Sequence, residues 1–317
     1  MIKRKWNKKG LIYVPDGTLD WSLSHAQVPV AEYLKDENRI KIYFSTRDKN
    51  SRSRPGFIIV DADDPKKILE IGKQPILSLG EIGTFDDSGV MPSWIVDRGN
   101  NEKWLYYIGW NVRNTIPYHN SVGLAISKDG GQSFTKFSNG PLWERDYKEP
   151  HYSGTSCVLF DNGIWKNWYL SCTEWKVVNG KSEPRYHIKY AESLNGIDWV
   201  RNGDIAIDYL DLEEAGIVKA SVIKENEKYC MWYSYRSFKD YRVNKENSYR
   251  IGYAESMDGI KWLRKDNSSG IVRSDDGWDS KMIEYPHVVS VKDKILMFYN
   301  GNGFGASGFG YAELETK

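Results

Sequence analysis

The sequence has few cysteines, no long apolar run and almost no net charge, and each shortage argues against a class of protein. Three cysteines, Cys157, Cys172 and Cys230, are too few for a disulfide framework and lack metal-ligand spacing. The longest apolar runs have four or five residues, such as 57–60, so we expect no membrane-spanning helix. The opening MIKRKWNKKG has no apolar stretch behind its charges, so we expect no signal peptide and a cytoplasmic location.

The charge balance argues against a nucleic-acid partner. There are 44 basic and 43 acidic residues, which gives a net charge of +1. A surface that follows a phosphate backbone needs a clear excess of Lys and Arg. A hydrophobic content of 40% and a mean hydropathy of −0.60 indicate a globular chain instead.

Aromatic residues and glycines are abundant. The chain has 13 Trp, 21 Tyr and 28 Gly. Short aromatic strands joined by glycine turns would produce this composition, because aromatic side chains suit a pleated surface. A surface on which flat rings stack against sugars would also produce it. Packing is the commoner role for any single Trp.

Three sequence markers recur about every 63 residues. Each repeat has an aromatic pair within a short apolar strand, then a strand typified by KYAES, then a further short apolar strand. With the strand that precedes each pair, this makes four strand signals per repeat. Five such repeats predict an all-β fold, a five-bladed β-propeller with four antiparallel strands per blade. The aromatic pairs are Tyr43-Phe44, Tyr106-Tyr107, Trp168-Tyr169, Trp232-Tyr233 and Phe298-Tyr299.

The ends of the chain predict how the last blade is completed. The fifth repeat stops after its third strand, and residues 5–14 resemble the last strand of the fourth repeat. We therefore expect the N-terminal strand to close the last blade, which removes an exposed sheet edge. The prediction is a single domain, 1–317, with blades at about 20–80, 83–145, 149–208, 212–273 and 279–315 plus 5–14.

Polar turns follow three of the KYAES-type strands. They carry Asp129, Asn195 and Asp258 beside glycines. The first turn matches the S-x-D-x-G-x-x-F/W Asp-box of sialidase-like propellers, and the other two are one residue shorter. An Asp or Asn side chain caps a tight turn, so we expect structural roles here.

One column of the repeat is acidic. Nineteen residues before the first aromatic residue of each pair stand Ser24, Asp87, Glu149, Glu213 and Asp279. If the column maps to one mouth of a central channel, the four acids are the candidate catalytic residues. Crowded carboxyl groups separate in pKa, and one then serves as acid and another as base. The alternative is that they are strand-entry residues paired with arginines or backbone amides.

Further residues are candidates for sugar binding. Arginines could hold a carboxylate or phosphate through paired hydrogen bonds, although a salt bridge to one of the acids is equally compatible. Tryptophans just past the aromatic strands could be sugar platforms. No spacing supports a metal site, even for His25 with Asp87 and Glu149, and we expect no cofactor. The substrate-binding candidates are Asp20, His25, Arg47, Trp110, Trp175, Arg185, Tyr186, Arg236 and Glu284.

These motifs resemble a known superfamily over essentially the whole chain. The chain is similar to the five-bladed furanosidase-type glycoside hydrolases, the arabinanase/xylosidase and invertase/levansucrase group. The resemblance implies that Asp87 in FDDSG is a helper acid and that Glu149 in KEPH is the proton donor. Ser24 departs from the pattern, because the first blade of that group supplies an acid. The phrases SHAQVP, FDDSGVMPS and GWDSKM resemble an uncharacterised bacterial branch of these propellers.

The leading functional hypothesis is an enzyme that cleaves a glycosidic bond with a carboxylate acid and base in the channel mouth. Its partner would be an oligosaccharide or an activated sugar. The alternative is a propeller that binds a glycan or sugar nucleotide without hydrolysis, or a glycosyl-transfer enzyme of the same fold. A sialidase is disfavoured, because it needs six blades and an arginine triad. A scaffold for protein partners would show an exposed apolar rim.

Overall fold

The computed structural model describes residues 4–315, and within them the protein is all-β. Three of its sheets have four strands and one has eight, and the eight-stranded sheet divides at a single parallel pairing, Ser53 with Gly89, into two antiparallel halves of four. We number the resulting five units 1 to 5 along the chain. An N-terminal strand, β1 (Trp6–Tyr13), precedes unit 1. Unit 1 comprises β2 (Ser24–Leu34), β3 (Arg39–Arg47), β4 (Ser53–Asp61) and β5 (Ile68–Ile71). Unit 2 comprises β6 (Gly89–Gly99), β7 (Glu102–Val112), β8 (Tyr118–Ser127) and β9 (Thr135–Lys136).

The remaining units repeat this order. Unit 3 comprises β10 (Ser153–Asp161), β11 (Ile164–Val178), β12 (Lys181–Ser193) and β13 (Ile205–Ile207). Unit 4 comprises β14 (Val218–Glu225), β15 (Lys228–Tyr235), β16 (Arg250–Ser256) and β17 (Leu263–Arg264). Unit 5 contains β18 (Glu284–Val291), β19 (Lys294–Asn300) and β20 (Phe309–Leu314). Short helical segments lie at Lys35–Glu37, Asp266–Ser268 and Asn302–Gly305. None of the described helices is long and apolar enough to cross a membrane.

The N-terminal strand completes unit 5, as the sequence predicts. Strand β1 pairs antiparallel with β20, and Trp6 lies opposite Leu314. The Trp6 indole donates a hydrogen bond to the Ser269 carbonyl at 3.1 Å and packs edge-on against Trp232. The two ends of the described chain are therefore held in one sheet, and the edge of β20 is covered.

The first strands of the units contact one another in succession. Strand β2 contacts β6, β6 contacts β10, β10 contacts β14, and β14 contacts β18, which in turn contacts β2. Side chains reinforce these contacts by bonding the neighbouring backbone. The Thr155 hydroxyl accepts from the Lys219 amide at 3.1 Å, and the Asn300 side-chain carbonyl accepts from the Val28 amide at 2.8 Å. The second of these links joins unit 5 to unit 1.

The aromatic pairs lie on the second strands and are buried on both faces of the sheet. All ten residues are at most 2% exposed, because successive units pack face to face. The first member of a pair reaches the polar turn of the following unit. The Tyr106 hydroxyl donates to the Gly196 carbonyl, and the Trp168 indole donates to the Gly259 carbonyl, both at 2.7 Å. A Cβ atom at Gly131 would lie 2.1 Å from the Tyr43 hydroxyl, so that turn requires glycine.

The side chains of Asp129, Asn195 and Asp258 cap these turns, as expected. An Asp129 carboxylate oxygen accepts from the Gln132 and Ser133 amides at 2.9 and 3.0 Å. Asn195 and Asp258 accept from the amides of the residues two and three positions later. The three cysteines are buried free thiols.

Candidate functional site

A cavity of about 390 Å³ lies where the first strands of the five units meet. Each unit contributes residues from its first strand or the segment just before it. Aromatic side chains form much of the wall, and polar groups are interspersed among them. The lining residues are Gln27, Val28, Arg47, Ser51, Ser53, Met91, Ile108, Trp110, Tyr118, Asn120, Tyr152, Thr155, Leu170, Tyr186, Val218, Tyr241, Arg242, Tyr249, Tyr285 and Phe304.

Strand register places a carboxyl group beneath this cavity. In four units, one residue of the first strand lies opposite the second-strand residue that comes two positions after the first member of the aromatic pair. These first-strand residues are Gln27, Met91, Val218 and Glu284. The first three line the cavity. Glu284 occupies the equivalent position in unit 5, because equal register places side chains on the same face of equivalent strands.

Glu284 is fully enclosed. It is 0% exposed, and neither carboxyl oxygen has a hydrogen-bond partner. Burial raises its pKa well above the ordinary value, and the nearby charge of Arg236 opposes that rise only in part. Burial therefore favours the protonated, neutral form of the Glu284 carboxyl group. The Glu284 carboxyl is near enough to influence the charge of Tyr249 and Tyr285, which both line the cavity.

Arg236 positions the tyrosines of the cavity wall. It is 1% exposed and stacks on Tyr241, with the guanidinium carbon 3.7 Å from the ring centroid. It donates to the hydroxyls of Tyr186 and Tyr249, each at 3.3 Å. It also donates to the carbonyls of Pro184 and Ser237. The hydroxyls of Tyr186 and Tyr249 bond each other, so this part of the wall is one connected network.

The opposite part of the wall comes from units 1 and 2. Arg47 ends β3 and donates from Nε to the Gln27 side-chain carbonyl at 3.2 Å. The Trp110 indole donates to the Ser53 hydroxyl at 3.2 Å. A Cβ atom at Gly89 would lie 1.9 Å from the Trp110 Nε1 atom, so glycine leaves room for this ring.

The four predicted catalytic acids do not line the cavity, and their contacts do not join them. Asp87 accepts from the Gly83 amide at 3.0 Å and from the Ser88 hydroxyl at 2.9 Å. Glu213 is exposed, and its nearest cation is the Lys239 ammonium at 3.9 Å. Glu149 and Asp279 are 5% and 2% exposed and make ion pairs. A catalytic role for these acids stays a prediction.

The buried acids at the strand entries bind the tyrosines of their own units. Glu149 accepts from the Tyr169 hydroxyl at 2.7 Å and lies 3.2 Å from the Lys189 ammonium. Asp279 accepts from Tyr299 at 2.9 Å and from Lys8 at 2.6 Å. The corresponding acid in unit 2 is Asp86, next to the predicted Asp87, and it binds Tyr107 and Lys136.

The predicted binding residues divide into two groups. Arg47, Trp110 and Tyr186 line the cavity. Arg236 and Glu284 lie buried next to it. Trp175 packs against two of its tyrosines, Tyr118 and Tyr152, with centroids 5.6 and 5.7 Å away.

Asp20, His25 and Arg185 are not among the lining residues. Asp20 is exposed. Burial, with the charge of Arg47, lowers the pKa of His25 to about 4. Arg185 stacks on Tyr209 at 3.8 Å and donates to the carbonyls of residues 211 and 214. Because successive strand residues face opposite sides, Tyr186 lines the cavity and its neighbour Arg185 does not.

Sequence reasoning missed several wall residues. These residues are identified by the strand register around the bulges of the first strands. No fixed spacing along the chain indicates them. Among residues 4–315, no group of three or more His, Cys, Asp and Glu residues could hold a metal ion. The missed residues include Tyr152, Tyr241, Arg242, Tyr249, Tyr285 and Phe304.

Solved structures with a similar fold include several glycoside hydrolases. One is a thermostable family-43 glycoside hydrolase, with a TM-score of 0.66, 18% identity, and coverage of 92% of this chain and 88% of the other. Another is a structure from the GH130 family of mannoside phosphorylases, a family that contains glycoside hydrolases that target β-1,2 mannosidic linkages. Its TM-score is 0.72, with 16% identity and coverage of 98% and 93%. A putative glycoside hydrolase from Parabacteroides distasonis ATCC 8503 gives 0.70, with 17% identity and coverage of 99% and 97%.

These likenesses show a propeller-type fold of the kind found in glycoside hydrolases, and they do not single out the furanosidase group. No family model matches the chain. Two proteins of Mycobacterium tuberculosis are much closer in sequence. They are the uncharacterized protein MT1551 of strain CDC 1551 / Oshkosh and the uncharacterized protein Rv1502 of strain ATCC 25618 / H37Rv. Each is 38% identical over 311 residues, covering 98% of this chain and 99% of the relative. The chain belongs to the same protein family as these two mycobacterial proteins.

Proposed function

We propose that the protein is a glycosidase-like enzyme whose active site is the cavity where the five units meet. The five units are the blades of one propeller domain, 1–317, and the cavity is one mouth of its central channel. The successive contacts of the first strands, including β18 with β2, support this arrangement. Ligand sites in such folds lie at the channel mouth, where side chains from every blade can reach one molecule.

The lining of the cavity suits a sugar. Rings such as those of Trp110, Tyr118 and Tyr249 offer flat apolar faces, and tyrosine hydroxyls offer hydrogen bonds to sugar hydroxyls. Asn120, Thr155 and Ser53 add further polar groups at fixed positions. A few polar groups within an aromatic wall are typical of small-molecule sites.

The observation that carries the proposal is Glu284. An unpartnered, fully buried acid is costly to fold, and it sits at the register position whose equivalents line the cavity. A neutral carboxyl group can protonate the oxygen of a leaving sugar as the glycosidic bond breaks. The carboxylate left behind would be stabilised by the charge of Arg236. Because Glu284 is covered, we infer that a neighbouring tyrosine turns aside when substrate binds.

The substitution Glu284→Gln tests this assignment. Glutamine has the shape of the neutral acid but cannot give up a proton, so we expect an unchanged melting temperature and retained sugar binding. Turnover of natural glycosides should fall by about 100-fold or more, the scale of general acid catalysis. Aryl glycosides with good leaving groups should keep much of their rate, because they need no protonation. Wild-type kcat on both substrate classes would show that Glu284 is not the acid.

A second candidate function is binding of a glycan without hydrolysis. The observation that favours it is that no Asp or Glu stands among the cavity-lining residues of the described chain, so a partner base for Glu284 is not evident. Asp87, Glu149, Glu213 and Asp279 remain the alternative catalytic set. Saturable sugar binding with no turnover of any tested glycoside would favour the binding function.

A further inference from the structure

The described cavity wall includes two arginines and no carboxylate. Arg47 and Arg242 are both lining residues, and the described lining includes no carboxylate. Glu284 is not among the lining residues, and burial raises its pKa, which favours its neutral form. A bound molecule therefore meets a positive field in a partly enclosed space, where charge interactions are stronger than in water.

The three arginines at the cavity differ in how their charge is satisfied. Arg242 pairs with Glu183 at 3.2 Å. Arg236 donates to two carbonyls and two tyrosine hydroxyls, so four of its five N–H donors are occupied. Arg47 makes one recorded side-chain hydrogen bond, from Nε to Gln27, and forms no salt bridge with any carboxylate of residues 4–315. Its two terminal nitrogens remain available to a ligand.

Other arginines of the chain have the carboxylate partner that Arg47 lacks among residues 4–315. Arg54, on the neighbouring strand, pairs with Asp48 at 3.1 Å, and Arg264 pairs with Glu214 at 2.8 Å. Arg47 is half-buried, and burial lowers the pKa of its guanidinium, so its unpaired charge destabilises the folded protein. An anion with two oxygens would satisfy the terminal nitrogens through paired hydrogen bonds.

We infer that the sugar bound in this cavity carries an acidic group, a carboxylate or a phosphate, and that the Arg47 guanidinium binds that group. The inference rests on the proposed function, because it names the class of sugar for the same cavity. The polar neighbours Gln27, Ser51 and Ser53 lie in the same part of the lining and can bond the remaining oxygens. Trp110, hydrogen-bonded to Ser53, offers a ring to the attached sugar.

The test compares matched neutral and acidic glycans on the wild-type protein. An array with neutral glycans, their uronic acid counterparts and their phosphorylated counterparts separates the two sources of negative charge. Hits are then measured by titration calorimetry at pH 7, with inorganic phosphate alone as a further ligand. We expect acidic glycans of one type to bind at least tenfold more tightly than their neutral counterparts, with the preference weakening as salt is added.

Variants then assign the preference to Arg47. Arg47→Gln should weaken binding of the acidic glycan by about 10- to 100-fold and leave neutral glycans nearly unchanged, because only a charge-assisted contact is lost. Arg47→Lys keeps the charge but not the planar fork, so it should show an intermediate loss. The matched control is Arg98→Gln. Arg98 also lacks a salt bridge in the described chain, but it stacks on Trp104 and Trp165 away from the cavity.

Each outcome decides between the claims. Equal binding of neutral and acidic glycans, or an acidic preference that survives in Arg47→Gln, overturns the inference and leaves the proposed function standing. Inorganic phosphate binding as tightly as the glycan would indicate a free-anion site and also overturn it. Absence of binding to every glycan would overturn both proposals. Melting curves of both Arg47 variants establish that they are folded.

Discussion

Lys219 is a lysine enclosed in the protein without a carboxylate partner. It is 0% exposed, and its ammonium group has no hydrogen-bond partner among the described residues. The ring of Trp94 lies 5.1 Å away, and His287 and Cys157 are near enough to influence its charge. Burial lowers the pKa of Lys219 to about 8 and that of His287 well below its ordinary value. An ammonium group in such surroundings destabilises the folded state.

We expect Lys219→Met to stabilise the protein, because an apolar chain of similar length replaces a desolvated charge. The gain should depend on pH. The folded pKa is about 8 and the unfolded pKa about 10.5, so between them the unfolded chain binds more protons and the wild type gains stability as pH rises. The stability difference between Lys219→Met and the wild type should therefore narrow as pH rises. The unfolding constant of the wild type should fall by at most about tenfold per pH unit.

Urea unfolding at pH 7 and pH 9.5 measures this difference. The same comparison with Lys224→Met, whose lysine pairs with Asp161 at 2.9 Å, serves as the control, and that variant should be less stable than the wild type. A Lys219→Met effect that is equal at both pH values would mean that the lysine does not change its charge in this range.

Asp129 caps the turn of unit 2 whose Gly131 packs against Tyr43 of unit 1. Asp129→Ala removes two amide bonds and two hydroxyl bonds, so we expect a loss of about 1–2 kcal/mol in the free energy of unfolding and unchanged sugar binding. The same bonds lower the pKa of Asp129 to about 2 against the opposing effect of desolvation. This contribution is present above pH 4 and is lost as pH falls towards 2. Loss of binding at an unchanged melting temperature would contradict a structural role.

At the scale of the strand, the buried acids link the entry of a first strand to the second strand of the same unit. Tyr169 on β11 and Lys189 on β12 both contact Glu149, and Ser171 and Arg201 add further bonds at 3.0 and 3.3 Å. Units 1 and 4 lack the link. Unit 1 has Phe44 where the other units have tyrosine, and Ser24 where the column has acids. In unit 4 the Tyr233 hydroxyl donates to Asp266 instead, and the column residue Glu213 is exposed.

Glu149→Gln separates the structural role from the predicted catalytic one. Glutamine leaves the Lys189 ammonium without a counter-charge, while Arg201 keeps its ion pair with Asp146. We therefore expect a loss of about 1–3 kcal/mol in the free energy of unfolding, measured in urea. If the role is structural, kcat per folded molecule stays within a few fold of the wild type. A kcat lowered by 100-fold or more at an unchanged melting temperature would support Glu149 as the proton donor.

The repeat allowed strands and their order to be predicted, because aromatic pairs and turn glycines are local signals. The site was harder to predict, because it depends on register between strands. The hairpin before Tyr43 contains the extra turn Lys35–Glu37, and each first strand has a register shift near the cavity. A fixed distance along the chain therefore aligns the strand-entry acids, whereas Gln27 and Met91 lie one or two residues further from their aromatic pairs than Val218 and Glu284 do.

At the scale of the whole molecule, β1 secures unit 5 to unit 4. Its residue Trp6 is 5% exposed and bonds the Ser269 carbonyl, and Lys8 pairs with Asp279 at 2.6 Å. A variant lacking residues 1–14 should melt many degrees lower than the full chain, because the edge of β20 and the apolar surface under Trp6 become exposed.

A point variant checks the same prediction without removing backbone. Trp6→Ala should cost about 3–5 kcal/mol, as for other large buried rings, whereas Asn7→Ala, at an exposed position on the same strand, should change the melting temperature little. Equal melting of the truncated and full-length proteins would mean that β1 contributes nothing to the stability of unit 5.

The pairing of β1 with β20 also sets an order of events during synthesis. Among the described strands, the ribosome makes β1 first and β20 last, so β1 has no native partner until the strands between them have emerged. Units 1 to 4 can form in turn from local hairpins, but the contact between β18 and β2 forms only after them. A ribosome that stalls shortly before β20 would therefore hold a nascent chain in which β1 is unpaired and the face of β2 that contacts β18 is uncovered, both targets for chaperones and for aggregation.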